Sequence, residues 1–384
     1  MENTCSVLSS QLATEGKDRK QKYLIREEVT VLKRVEIGSA NSTKTVRLRV
    51  DDAFSPGQWI FLIALPILCL LIGCCAGRML ISPTDIFSAI GQGIGIKSDV
   101  SSQITTVVWS IRIPRLLMAC LVGCGLSLAG CAFQSVFSNP LATPDTLGAA
   151  SGAGFGAVLA LLLGFNMVGV QLLAFVFGIG AVAITGLAGI GLNNSKTTPI
   201  LAGIMISSLF SSLISFVKFT ADTESQLPEI TYWLLGSLEG SGYETLALGA
   251  PPIIICTIIL LLLRWRMNLL PLPMDEAISS GVNIRRLRIV TEVCAAMMTA
   301  SCISMCGQVG WVGLIVPHIC RMRFGSNHRV LLPASISIGI AFMIIVDTLA
   351  RTISPKEIPI SVLTAIVGAP FFIYLLRKNR GWAI

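Results

Sequence analysis

From Trp59 onward the chain alternates between long apolar runs and short polar connections. Runs of roughly 17–25 residues are the length that crosses about 30 Å of hydrocarbon. Ten can be delimited: 59–78, 114–137, 146–164, 168–191, 199–219, 244–264, 286–306, 309–321, 331–352 and 360–377. The eighth is the shortest, and the Gly-rich stretch before it extends it. Backbone groups in lipid must bond internally, which here requires a helical bundle. The pattern therefore predicts an all-α polytopic membrane protein of about ten transmembrane helices, spanning 59–384, with a polar loop at 265–285.

Residues 1–58 lack a long apolar run and hold ten basic and eight acidic residues. They open on Met-Glu-Asn-Thr rather than on a charged and then apolar leader. Glu27–Val35 has the pattern of a short helix, and Thr43–Val50 alternates like a strand. The segment reads as a polar cytosolic N-terminal tail.

Composition agrees with this picture. Charged residues make up 13% of the 384 residues and hydrophobic ones 53%, against about 25% charged in an ordinary soluble domain. A disordered chain, a coiled coil and nearly all soluble enzymes are excluded. The net charge of +8 would suggest nucleic acid on a soluble protein, but the placement of the charges argues otherwise. With the N-terminus inside, twelve basic residues fall on cytosolic connections: Lys196, Arg264, Arg266, Arg285, Arg286, Arg288, Arg321, Arg323, Arg329, Arg377, Lys378 and Arg380. Seven fall outside: Arg78, Lys97, Arg112, Arg115, Lys218, Arg351 and Lys356. That bias places both termini in the cytoplasm of a cell-membrane protein and leaves no role for nucleic acid.

The outer arginines are the exceptions. Arg112 and Arg115 flank Pro114 where the second span begins, and Arg351 follows Asp347 by one helical turn, close enough to pair with it. Two readings stand: interfacial anchoring by long side chains, or a cationic rim that receives an acidic partner.

Other polar features are sparse. Of the 12 cysteines only Cys5 lies in a polar stretch, and two histidines, His318 and His328, complete a poor set of metal ligands. The cysteines read as small packing residues, and no metal or resident cofactor is expected. Gly148, Gly152 and Gly156 are spaced for close helix approach. Ser207, Ser211 and Ser215 share a face, with Ser208 and Ser212 beside them. Such a stripe either lines a wet path or bonds its own preceding carbonyls. Glu292 and Asp347 lie away from the midplane, which weakens an ion-coupled secondary carrier. No Gly-x-x-x-x-Gly-Lys-Ser/Thr loop is present, so this chain is not expected to be an enzyme that hydrolyses ATP.

Several motifs resemble the FecCD, or BtuC-like, permease family of ABC importers for iron-siderophores, haem and cobalamin. They are Arg112-Ile-Pro-Arg115, Gly130-Cys-Ala-Phe-Gln-Ser-Val-Phe-Ser-Asn139-Pro-Leu141-Ala-Thr-Pro144, Leu147-Gly-Ala-Ala-Ser-Gly152 and Trp233-Leu-Leu-Gly-Ser-Leu. Then follow Gly313-Leu-Ile-Val-Pro-His318, Asn327-His-Arg-Val-Leu-Leu-Pro333, Asp347-Thr-Leu-Ala-Arg351, Glu357-Ile-Pro, Thr364-Ala and Gly368-Ala-Pro-Phe-Phe. The motifs run in order from about residue 59 to 378, and the tail lies outside the resemblance.

The resemblance implies the BtuC-like permease fold, with a dimer of permeases joined to two cytosolic ABC ATPases that bind ATP and Mg. It also implies an extracytoplasmic substrate-binding protein whose acidic residues dock on Arg112, Arg115 and Arg351. The segment 273–282 corresponds to the family's coupling helices, implicating Asp275, Glu276, Ala277, Ser280 and Gly281 in contact with the ATPase. Asn139 and Leu141 correspond to the constriction closing the path, the alternative being a Pro-ordered turn in which Asn139 caps the next segment. With Ser207, Ser211 and Ser215 they form the expected translocation path. The expected cargo is a metal chelate, foremost a ferric siderophore, with cobalamin and haem as alternatives.

Overall fold

The computed structural model describes residues 54–95, 100–188, 198–240, 242–272, 276, 277 and 280–378. The tail up to residue 53 and Asp275 lie outside the described residues. Among the described residues all regular structure is helical. The helices are α1 (Pro56–Cys75), α2 (Pro83–Gly93), α3 (Ser102–Val136), α4 (Ala149–Leu162), α5 (Met167–Ala188) and α6 (Thr198–Thr220). They continue with α7 (Gln226–Leu234), α8 (Tyr243–Leu263), α9 (Ile284–Cys306), α10 (Val312–Phe324), α11 (His328–Thr352) and α12 (Ile360–Lys378). Single 3₁₀ turns at Pro144–Leu147 and Arg266–Leu269 join α3 to α4 and follow α8.

Each predicted apolar run coincides with a helix, but the expected count of ten spanning helices is not confirmed. Twelve helices are present among the described residues. Seven of them, α1, α3, α5, α6, α8, α9 and α11, are long and apolar enough to cross a membrane. The additional helices, α2 and α7, are short and carry polar residues on one face, so no apolar run announces them. α4 and α10 have 14 and 13 residues, about 20 Å of helix. They are sheltered by their neighbours: most of α4 is buried, as is the stretch Ile315–His318 of α10.

Local chemistry fixes the helix ends. Ser55 forms a capping box with Gln58 ahead of Pro56, and Ser82 caps α2 ahead of Pro83. Asn283 and Asn327 cap α9 and α11 through their side-chain oxygens. These oxygens satisfy amide donors that a helix start leaves free.

α3 is the axis of the bundle and packs against α9, α10 and α11. Small residues set those contacts. A Cβ added to Gly123 would fall 2.3 Å from the Gly339 carbonyl oxygen, and one on Gly339 would fall 2.4 Å from that of Gly123. The α3 and α11 backbones thus touch with no room for a methyl group. In α4, Gly152 and Gly156 do the same against Phe177 and Leu173 of α5, at 2.6 and 2.4 Å. Gly148 instead takes a left-handed conformation ahead of α4. In contrast, α6 and α8 turn large apolar side chains outward, Phe219 being 86% and Leu262 78% exposed.

Candidate functional site

The residues singled out from the sequence fall into four places. At one end of the bundle, Arg112 and Arg115 leave α3 beside Pro114. Pro114 lacks an N–H and crowds the preceding turn, and the helix widens there into a π turn over Val108–Arg112. Such bulges recur at functional sites. The structure brings Arg112 and Arg115 together with Arg351 of α11.

These arginines are buried in this chain rather than exposed. Arg112, Arg115 and Arg351 are only 4%, 7% and 6% exposed, because each finds partners inside the chain. Arg115 Nε donates to Asp347 Oδ1 at 2.8 Å, while Nη1 and Nη2 donate to the two Glu357 oxygens at 2.9 and 2.8 Å. Arg351 Nε pairs with Asp347 Oδ2 at 3.3 Å, the predicted one-turn pair, and its Nη2 donates to the Gly73 carbonyl at 2.6 Å. Arg112 donates to the carbonyls of Cys74 and Met79. A Cβ on Gly77 would lie 3.2 Å from Arg112 Nη2 and 3.4 Å from Arg351 Nη1, so Gly77 leaves the space these two cations share. Three guanidinium groups therefore face two carboxylates.

About 30 Å along α3, a second polar cluster closes the other end. Gln134 is buried, donates to the Gly313 carbonyl at 3.2 Å and accepts from Arg321. His328 bridges Ser135 Oγ at 2.5 Å and Asn268 Oδ1 at 2.8 Å, and Asn268 in turn donates to Asn327. Sequence reasoning assigned no role to these residues. A glutamine within an apolar run was the available signal, since polar groups at membrane depth are costly.

Close by in the chain, α3 ends with Ser138 in a left-handed conformation, φ +50°. Its N–H donates to Ser135 O and that of Asn139 to Gln134 O, the paired bonds of a helix-ending Schellman turn. Asn139 Oδ1 accepts from the Leu141 N–H at 2.9 Å, so the local geometry is that of an ordered turn. Leu141 is half exposed.

On α6, the hydroxyls of Ser208, Ser212 and Ser215 donate to the carbonyls one turn back at 2.9, 2.9 and 3.0 Å. Ser211 and Ser215 lie on the exposed face and Ser207 is half-buried. Back-bonding therefore holds for Ser215 of the stripe and for its flanking Ser208 and Ser212, and the helix is uncharged until Lys218.

Between α8 and α9, Glu276 is exposed and Ala277 is buried on a short helical turn. Ser280 closes the turn, its hydroxyl donating to the Ala277 carbonyl at 2.6 Å. Gly281 follows at φ +73°, the conformation that ends a helical turn at glycine.

A pocket of about 260 Å³ is lined by Ser151, Leu234, Gln308, Trp311 and Ser361, among others. Its floor is the α9–α10 link, where Gly307 has φ +74° and a Cβ would meet the Trp233 carbonyl at 2.3 Å. Trp311, at φ +70°, is a bulky residue in a conformation normally left to glycine. Gln308 reaches the Ala150 carbonyl at 3.5 Å, a long bond. Nearby, Tyr232 donates to Glu239 at 2.7 Å, and this raises the phenol above its ordinary pKa.

Comparison with known proteins extends across this whole framework. The FecCD transport family profile matches residues 64–378. The molybdate import system permease MolB of Haemophilus influenzae is 42% identical over 275 residues, covering 71% of this chain and 82% of MolB. An iron chelatin transport system permease of Helicobacter pylori is 36% identical over 282 residues, 73% of this chain and 85% of that one. The vitamin B12 permease BtuC of Klebsiella pneumoniae is 34% identical over 331 residues, 84% and 95% of the two chains. Among solved structures, a metal-chelate type ABC transporter in an inward-facing conformation superposes with a TM-score of 0.77. It is 37% identical and covers 84% of this chain and all of its own.

Proposed function

This chain belongs to the FecCD transport family of ABC importer permeases, and from that premise we propose that it imports a metal chelate, foremost a ferric siderophore. The observation that carries this is the family match over 64–378, which takes in six of the seven long apolar helices whole and the seventh, α1, from residue 64 onward. The chain works as a permease dimer in the cell membrane with both termini cytoplasmic. Two cytosolic ATPases bind ATP and Mg and power it, since the sequence has no phosphate-binding loop. An extracytoplasmic binding protein delivers the cargo to the end that holds Arg112, Arg115 and Arg351.

Each part of the geometry has a role in this cycle. The turn at Glu276–Gly281 projects an exposed acid from a buried alanine, a shape that seats in a groove of the ATPase. When the ATPases close, the turn carries α9 with it. The α6 face offers serine hydroxyls already satisfied by their own backbone. A wall of that kind lets a large ligand pass without gripping it. Leu141 supplies an apolar stop at the cytoplasmic end of the path, held in place by the Asn139 turn.

The uncharged α6 face favours a chelate, whose metal is wrapped in a large organic ligand, over a small bare dianion that needs cationic partners. A second reading rests on the 42% identity to a molybdate permease: the cargo is an oxyanion. Deleting the chain from its own cell and following labelled iron-siderophore and labelled molybdate separates the two. Loss of siderophore uptake, restored by the intact chain, is the expected result. Loss of molybdate uptake with iron uptake intact would transfer the assignment to the oxyanion.

A further inference from the structure

The two carboxylates of the arginine cluster are held very differently. Asp347 lies within the C-terminal part of α11, five residues before its end, and is wholly buried. Glu357 belongs to the non-helical segment between α11 and α12, and its side chain is 10% exposed. Its neighbours Pro355 and Lys356 are open to solvent. Backbone bonds from Ile358 to Ala350 and from Ile360 to Gly236 fasten that segment, at 3.1 and 3.0 Å.

Arg115 has one side engaged by each acid. Asp347 takes Nε, and Glu357 takes the terminal fork, where two parallel N–H groups match one carboxylate. An acid arriving from outside meets a fork already filled. Emptying the fork first would strand a buried guanidinium, which is costly. Exchanging one carboxylate for another keeps Arg115 paired at every stage. Meanwhile the cluster holds three cations against two anions, so one further negative charge is accommodated without repulsion.

We propose that Glu357 is a stand-in for the docking partner's carboxylate, filling the Arg115 fork until the partner's acid displaces it. This rests on the docking reading above. The displaced segment leads within four residues to Ser361, whose hydroxyl donates to the Leu235 carbonyl at 2.5 Å and which lines the pocket with Leu234. Docking is thereby linked to the start of α12. Glu357 is a positioning residue: it sets how available Arg115 is, and does not touch cargo.

The test is the affinity of the fluorescently labelled, cargo-loaded binding protein for the purified full-length transporter at low salt. Glu357→Gln removes the competing charge and keeps the side-chain shape. A competitor that fills the site most of the time lowers apparent affinity by the unoccupied fraction, so the variant should bind about tenfold tighter. A merely structural Glu357 would leave affinity unchanged or weakened, and either result overturns the proposal. If Glu357→Gln does not fold, Glu357→Asp serves. It keeps the charge but is too short to hold both fork nitrogens, and a gain of a few-fold is expected, with no gain overturning the proposal. Arg112→Gln separates the underlying reading, because Arg112 has only carbonyl partners here. Weaker binding by this variant with no gain in Glu357→Gln would remove the stand-in and keep docking. Unchanged binding by Arg112→Gln would remove docking, and the stand-in with it.

Discussion

Replacing Asp347 with alanine tests how much of the fold rests on the ionic cluster. Asp347 is wholly buried and contacts two guanidinium groups, at 2.8 and 3.3 Å. At an effective dielectric of about 20, contacts at those distances are worth about 5–6 kcal/mol each before desolvation is subtracted. Breaking a buried pair by removing one partner costs about 3–5 kcal/mol net, since the survivor is left uncompensated. Here three guanidinium groups would face Glu357 alone, so the upper part of that range applies. The assay is thermal unfolding in detergent followed with a thiol-reactive dye. Cys69, Cys131, Cys256, Cys294, Cys302, Cys306 and Cys320 are buried and would react only as the bundle opens. Asp347→Ala should melt well below the parent, while Lys356→Ala, an exposed charge, should stay within about 0.5 kcal/mol of it. Replacing both partners with apolar residues, Asp347→Leu with Arg351→Met, should recover part of the loss. An Asp347→Ala protein that melts with the parent would refute the idea that this cluster ties α3 to α11.

Other outcomes follow from the same geometry. Glu276→Arg should leave the melting point alone and abolish stimulation of the partner ATPase by loaded binding protein; normal stimulation would remove Glu276 from the coupling surface. Gly339→Val should yield little folded protein, because a Cβ there would lie 2.4 Å from the Gly123 carbonyl. Gly180→Ala, where nothing lies within 4 Å, should purify like the parent. Equal yields from the two would contradict backbone contact between α3 and α11. Ser212→Ala loses only a bond to its own helix at 2.9 Å, so transport should be unchanged; a large fall would show that the hydroxyl meets cargo.

The apolar runs made every long helix legible, because burial in lipid leaves a composition signal that needs no partner. What they could not deliver was length. The run at 114–137 begins where hydropathy rises, yet α3 starts at Ser102; its first turns are polar, with Thr106 bonding back to the Ser102 carbonyl and Thr105 reaching Gln92 of α2. α4 carries the composition of a span at two-thirds of the length and is largely buried by its neighbours, while α10 is as short and ends in Arg321 and Arg323. The arginines at 112, 115 and 351 stood out by charge, and the Asp347–Arg351 pair followed from spacing. Their burial did not, because the partner that completes the cluster, Glu357, lies 242 residues from Arg115 in sequence. The same holds for Gln134 and Arg321, 187 residues apart. The α6 serines show the opposite limit: the two alternatives differ only in where a hydroxyl points, which residue type and spacing do not encode, and Ser208, Ser212 and Ser215 point back along their own helix.

The central claim is that this chain moves cargo inward on energy supplied by a partner. It is tested by reconstituting the chain with its ATPase and binding protein into proteoliposomes and measuring labelled cargo uptake under separate energy sources. Uptake should require ATP on the ATPase side and loaded binding protein on the other, and proton or sodium gradients should neither replace ATP nor change the rate. Uptake by the chain alone, driven by an ion gradient without ATPase or binding protein, would contradict the account and make it a secondary carrier.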